Sequence, residues 1–321
     1  MRVLVIGATG HVGGYLVPRL VEAGHDVVAI SRGRQRLYRE HPAWSSVERV
    51  TADREAEDTA GTFGARVAAL APDVVVDMAC FTEASAAQLL GALRGTDALL
   101  LMCGTIWVHG RLTRVPARET DPRRPWGTYG VQKAAIERLV LDAAAAGEVR
   151  GSVLHPGHIS GPGWAPINPV GNLDLTVWER LATGARVALP DLGLETVHHV
   201  HADDVAQAFQ LALERPEAAV GQAFHVVAER ALALAGFAEA VAGWFGAEAD
   251  LAYLPFDAWR STTSPEHADT SYEHVARSHV MSIENARTRL GYTPAFSALE
   301  TVREAVEALA AAGRIRVPAF A

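Results

Sequence analysis

Long apolar runs, cysteines and any surplus of positive charge are all scarce in this 321-residue chain. No stretch approaches the roughly eighteen consecutive apolar residues of a membrane span, so no membrane partner is expected. The two cysteines, Cys80 and Cys103, adjoin predicted strand ends without metal or redox spacing. They read as reduced, partly buried thiols. The net charge of -8 argues against nonspecific nucleic-acid binding while leaving room for a local basic pocket. There is no internal repeat. Met1-Arg2-Val3 enters a strand at once, leaving no room for a signal peptide, and the expectation is a soluble cytoplasmic protein.

What is present is concentrated first at the N-terminus. Arg2 to Ile6 is an apolar run suited to a buried parallel strand, and a helix follows through Val17, Leu20 and Val21. Between them stand Gly7, Thr9, Gly10, His11, Val12 and Gly13. The first glycine permits a tight turn, the second lets backbone approach a pyrophosphate, and the third lets helix and strand pack closely. The helix start offers free N–H groups and a positive dipole end to phosphate. A dinucleotide site is expected here.

The alternation continues. Strands are predicted at 26–30, 47–51, 73–78, 98–102 and 149–154, with helices near 63–70, 83–93 and 127–146 between them. The segment 53–58 reads as a polar connection, and 111–126 as a loop. Near-continuous apolar strands separated by helices predict a parallel sheet covered on both faces, wound by right-handed crossovers. Residues 1–155 are expected to form this α/β, doubly wound Rossmann domain. Residues 156–321 are expected to form a smaller mixed substrate-binding region that returns an element to the main sheet. Residues 155–166 read as too broken for regular structure. A strand is predicted at 196–201, then a helix from Val205, with Asp204 as N-cap and Gln207 completing a capping box.

Chemistry is suggested by Tyr129 and Lys133. Four residues apart on a helix, they share a face. A phenol with a pKa of about 10 is a poor base at neutral pH, and a nearby cation favours its charged form. Thr105 falls just past the predicted fifth strand, at the edge where open α/β sheets bind ligands. Its hydroxyl is placed to hold a substrate oxygen while Tyr129 handles a proton.

With these residues in hand, the chain resembles the extended short-chain dehydrogenase/reductases, the NAD-dependent epimerase/dehydratase group. Gly7 to Gly13 resembles that family's cofactor turn, Tyr129 to Lys133 its Tyr-x-x-x-Lys motif, and Val200 to Ala206 its second-domain signature. The resemblance implies hydride exchange with NAD or NADP. Tyr129 would move the hydroxyl proton, Lys133 would bind the nicotinamide ribose, and Thr105 would hold the reacting oxygen. It also implies that Asp53 contacts the adenine end and that Ala79 and Phe81 line the cofactor. The second strand ends at Ile30-Ser31-Arg32-Gly33-Arg34, with no acid for the ribose hydroxyls. Arg32 and Arg34 suit a 2′-phosphate, which favours NADP.

Departures from the family narrow the chemistry. Ile106-Trp107 stands where dehydratases carry Asp-Glu, which speaks against dehydration. Val197 replaces an arginine that grips the diphosphate in sugar-nucleotide epimerases, and His158 replaces an Asn used on the same group. Either another cation substitutes, Arg186 or Arg277, or the substrate is not a nucleotide sugar. His109 stands where the family often has Tyr. Trp107, His155, His158, Trp164, Asn168 and Asn172 are the candidate substrate contacts. His198, His199 and His201 mimic a metal set, but this chemistry needs no metal and none is expected.

The first reading is an epimerase acting on a sugar or sugar-like polyol through a transient keto intermediate. The alternative is an NADP-dependent ketoreductase or alcohol dehydrogenase on a smaller carbonyl compound; a non-catalytic dinucleotide-binding protein is a third. A small polar substrate is the expected partner, and the family resemblance suggests a homodimer.

Overall fold

The structure is a computed structural model that describes residues 1–34 and 37–321. In chain order its first half comprises β1 (Arg2–Ile6), α1 (Gly13–Glu22), β2 (Asp26–Ser31), β3 (Glu48–Thr51), α2 (Arg54–Thr59) and α3 (Phe63–Ala69). Then come β4 (Val74–Asp77), α4 (Glu83–Leu93), β5 (Leu99–Cys103), α5 (Gly127–Ala145) and β6 (Arg150–Pro156). These strands and a later one, Ala223–Val226, form a seven-stranded sheet in the order Ala223–Val226, β6, β5, β4, β1, β2, β3. Every pairing in it is parallel.

Alternation along each strand builds two cores. Val3 and Val5 of β1 face one side with Leu16, Val17 and Leu20 of α1. Leu4 and Ile6 face the other with Phe63, Leu89 and Val140. Side chains of period two on a doubly covered sheet can do nothing else. Strand order reverses between β1 and β4, so a crevice opens beyond their carboxyl ends. A third core, around Trp178, Phe237 and Trp259, lies wholly in the second half of the chain.

Several local expectations need correction. Segment 53–58 is not a plain connection: Asp53 accepts the Ala56 N–H and caps α2. Within the crossing, His158–Ser160 is a short strand, β7, paired in parallel with His199–His201. The 196–201 strand is broken in two, because Thr196–Val197 instead pairs antiparallel with Leu232–Ala233. Asp204 is not an N-cap. The helix runs Ala202–Glu214 and is capped by His201, whose Nδ1 accepts the Asp203 N–H. Asp204 is buried one position deeper and accepts the N–H groups of Ala295 and Phe296 at 2.7 and 3.2 Å. Gln207 accepts the Thr293 N–H instead of closing a capping box. Among the described residues no helix is long and apolar enough to cross a membrane.

Gly13 shows why the glycine turn tolerates no Cβ at its third position: one there would run into the Ala8 carbonyl. Gly13→Ala should therefore lower the urea-unfolding free energy by about 1–3 kcal/mol, the usual cost of overpacking. An unchanged midpoint would show that the turn relaxes freely.

Candidate active site

A cavity of about 710 Å³ occupies the crevice beyond β1, β2 and β4. Gly7, Thr9 and Gly10 form one wall, and Arg32 and Arg34 stand at the end of β2. Asp53, Ala79 and Phe81 complete the rim. Gly7 adopts φ +83°, a backbone conformation that residues with a Cβ rarely take, so the turn needs glycine there. Arg34 donates to Asp53 at 3.1 Å between exposed side chains. That pair adds little stability but holds the guanidinium at the cavity rim.

His11, Val12 and Gly13 do not line the cavity. Val12 is core, and its carbonyl accepts the Leu16 N–H of α1. His11 lies under a stacked Trp164, ring centroids 5.6 Å apart, with Tyr38 at 5.2 Å. Burial first, then His201, lowers the His11 pKa to about 4.

Behind Arg54, which lines the cavity, lies a group that sequence reasoning missed. Asp77 is fully buried and takes Nη1 of Arg54 on both oxygens at 2.6 Å. It also accepts the Ala79 N–H at 3.0 Å, which shapes the turn after β4. Arg54 in turn donates to Ser85 and lies over Phe63. The helical spacing of Arg54 and Asp58 was visible in the sequence; the long-range partner Asp77 was not.

Helix α5 carries Tyr129 and Lys133 on one face, beside the carboxyl end of β5. Lys133, the only lysine of the chain, is 2% exposed. Its ammonium donates to the Cys103 carbonyl at 2.8 Å and lies 5.0 and 5.8 Å from the Phe81 and Tyr129 rings. Thr105 Oγ1 accepts the Trp107 N–H, which leaves its own proton to donate. Tyr129 is 41% exposed, but the protein packed around it raises its pKa to about 12. Cys103 adds to that shift, and a hydrogen bond with Thr105 opposes it. The phenol is thus protonated at neutral pH and equipped to give a proton. Burial similarly pushes the Cys80 thiol up to about 12, which suits an unreactive cysteine.

The substrate candidates separate. Trp107 stands edge-on to Tyr129 at 5.7 Å and walls the site. Trp164 does not join it; it covers the glycine turn instead. Asn168 and Asn172 are corrected: both are buried and spend their amides inside the loop. Asn168 donates to Asn172 and accepts the Val170 N–H, while Asn172 donates to Ser271. His155 is also withdrawn from substrate, because both its nitrogens are occupied by protein, at Thr105 and Glu137. His158 accepts the His198 N–H and packs on His274, one ring behind Trp107. His109 pairs with His225 at 2.8 Å, away from solvent.

Neither proposed replacement cation is free. Arg186 is exposed and paired with Asp250. Arg277 is 1% exposed, held 3.9 and 3.8 Å from the rings of Trp107 and Trp126 and paired with Glu273. Desolvation lowers its pKa against the pull of Glu273.

A doubly wound parallel sheet with a glycine turn at its switch point defines the dinucleotide-binding α/β class. Residues 3–227 match the sequence model of the NAD dependent epimerase/dehydratase family, and the chain belongs to that family. It is thereby an NAD(P)-dependent, sugar-modifying oxidoreductase or epimerase at the family level. The chain is 32% identical over 208 residues to 2'-dehydrokanamycin reductase of Streptomyces kanamyceticus, a match covering 65% of this chain and 56% of the reductase. It is 26% identical over 330 residues to UDP-glucose 4-epimerase of Mycolicibacterium smegmatis, covering 96% and 98% of the two chains. The solved UDP-glucose 4-epimerase of Thermotoga maritima shares the fold, with TM-score 0.72 at 20% identity over 97% of this chain and 99% of that one.

Glu137, two turns beyond Tyr129, yields a pH prediction. Burial raises its carboxyl pKa, but His155 and Arg123 more than reverse this and hold it well below the ordinary range. A depressed folded pKa contributes stability above the unfolded value of 4.5 and loses it as pH falls. The stability advantage of the wild type over Glu137→Gln should therefore be full near neutrality and shrink below about pH 4.5. Urea titrations of both proteins across that range check it; a pH-independent gap would contradict it.

Proposed function

We propose that the protein is an NADP-dependent reductase of a ketone on a small sugar-like polyol that carries no nucleoside diphosphate. The observation that supports the substrate class is the commitment of Arg277 to two indoles and Glu273, with Val197 standing where sugar-nucleotide epimerases carry the diphosphate-gripping arginine. Among the described residues, neither cation considered for a diphosphate is available to one. The partial likeness to a reductase whose name denotes a ketone on an aminoglycoside agrees with this.

The glycine turn fits a dinucleotide, since Gly7 and Gly10 bring backbone to the cavity wall and Gly7 holds a positive φ that favours glycine. Gly7, Thr9 and Gly10 would hold the pyrophosphate, Asp53 the adenine end, and Arg32 and Arg34 a 2′-phosphate. When bound, the nicotinamide supplies hydride. Thr105 keeps its proton and donates a hydrogen bond to the carbonyl oxygen, polarising it and fixing its position. Tyr129, protonated at neutral pH, then delivers a proton to the same oxygen as it gains charge. Lys133 stabilises the phenolate left behind.

A second reading, epimerisation through a transient ketone, is favoured by the full-length likeness to a UDP-glucose 4-epimerase. The two differ in bookkeeping of cofactor. NADPH absorbance should fall stoichiometrically when the protein meets keto-aminoglycosides or keto-sugars, and UDP-sugars should give no product. Interconversion of UDP-sugars without net NADPH loss would instead establish the epimerase.

Cofactor choice is checked separately by fluorescence titration. NADPH should bind more tightly than NADH, and Arg32→Ala should weaken NADPH roughly tenfold, as loss of one charged hydrogen bond implies, with NADH little affected. Equal affinities for both cofactors in the wild type would refute the 2′-phosphate assignment.

A further inference from the structure

The face of α5 that carries Tyr129 and Lys133 continues, four residues on, to Glu137, which is 3% exposed. Arg123 grips this carboxylate through Nε at 2.9 Å and through Nη2. The remaining reach of Glu137 is to His155 Nε2 at 3.0 Å. His155 lies on β6, is fully buried, and presents Nδ1 to the backbone N–H of Thr105 at 2.9 Å.

The direction of these bonds is forced. A backbone N–H can only donate, so Nδ1 must be the bare acceptor and the ring proton must sit on Nε2, facing Glu137. The carboxylate therefore selects the tautomer that the Thr105 amide needs. Gly104 completes the arrangement: a Cβ there would collide with the His155 ring and stand 2.9 Å from Val153. The Gly104 N–H donates to the Leu154 carbonyl at 2.7 Å, and Lys133 takes the Cys103 carbonyl. The strand end is thus pinned at three consecutive residues, one directly by α5 and two by β6, where α5 orients His155 through Glu137.

We propose that Glu137 and His155 are positioning residues for Thr105, fixing the backbone from which its hydroxyl meets the reacting oxygen. This rests on the role read for Thr105 above, so the test has one arm that needs no turnover. In wild-type protein with ¹⁵N-labelled histidine, His155 Nδ1 should be unprotonated and coupled through the hydrogen bond to the Thr105 amide. A protonated Nδ1, or no such coupling, overturns the proposal whatever the substrate.

The second arm separates positioning from packing. His155→Leu keeps bulk but removes the acceptor, and should cost on the order of a hundredfold in kcat with KM and NADPH affinity held. His155→Asn places an amide oxygen where Nδ1 stood and should recover most of that loss, together with the wild-type Thr105 amide shift. Equal losses in both variants, or losses in KM and NADPH affinity alone, would reduce the pair to a packing role. Should the leucine variant fail to fold, the coupling in the wild type and the amide shift in the asparagine variant still decide. Failure of every substrate alongside an intact coupling would sink the reductase reading and leave the geometry standing.

Discussion

An ammonium group fastened to the carbonyl at the end of a strand sets the register of this molecule's chemistry. Lys133 is buried, and a buried charge is costly unless it is hydrogen-bonded. The Cys103 carbonyl and two aromatic faces, Phe81 and Tyr129, meet that need. Because the bond joins α5 to the carboxyl end of β5, it also decides which turn of the helix overlooks the crevice. Tyr129 then falls beside Thr105 on the open side, and Glu137 falls among buried groups on the other. One contact across the helix–sheet interface thus sorts the proposed proton donor from a structural acid.

The second half of the chain is tied to the first by more than its linking segment. Strand Ala223–Val226 lies against β6 in the main sheet, so the later residues complete the layer that the earlier ones begin. Arg19 of α1 meets Asp203 through two bonds at 2.7 Å, a fork-to-carboxylate pair that joins the two halves. Trp164 reaches back over His11 and the glycine turn. The crossing between the halves is therefore in contact with the glycine turn.

Much of the sheet was legible because its signals are local and periodic. β1 and α4 lie where their apolar patterns place them. Errors came where a local rule lost to a distant partner. Asp204 satisfies the spacing of a capping box, yet its oxygens serve backbone donors some ninety residues away, and His201 takes the cap. Asn168 and Asn172 look like polar lining in sequence, but a loop folded on itself consumes amides first. Glu137 was within reach of the same four-residue spacing that revealed Lys133. Its partners Arg123 and His155 come from two other segments, and no spacing rule names them.

Lys133 is also the only side-chain amine the chain possesses, with every other permanent side-chain cation an arginine. Acylating, glycating or ubiquitin-conjugating chemistry aimed at lysine thus finds no target on the outer surface. The one side-chain ammonium is buried beside Phe81 and engaged with a carbonyl. Amine-directed labelling of the folded protein is accordingly confined to the N-terminus, and any lysine adduct that does form reports an opening of the α5–β5 contact.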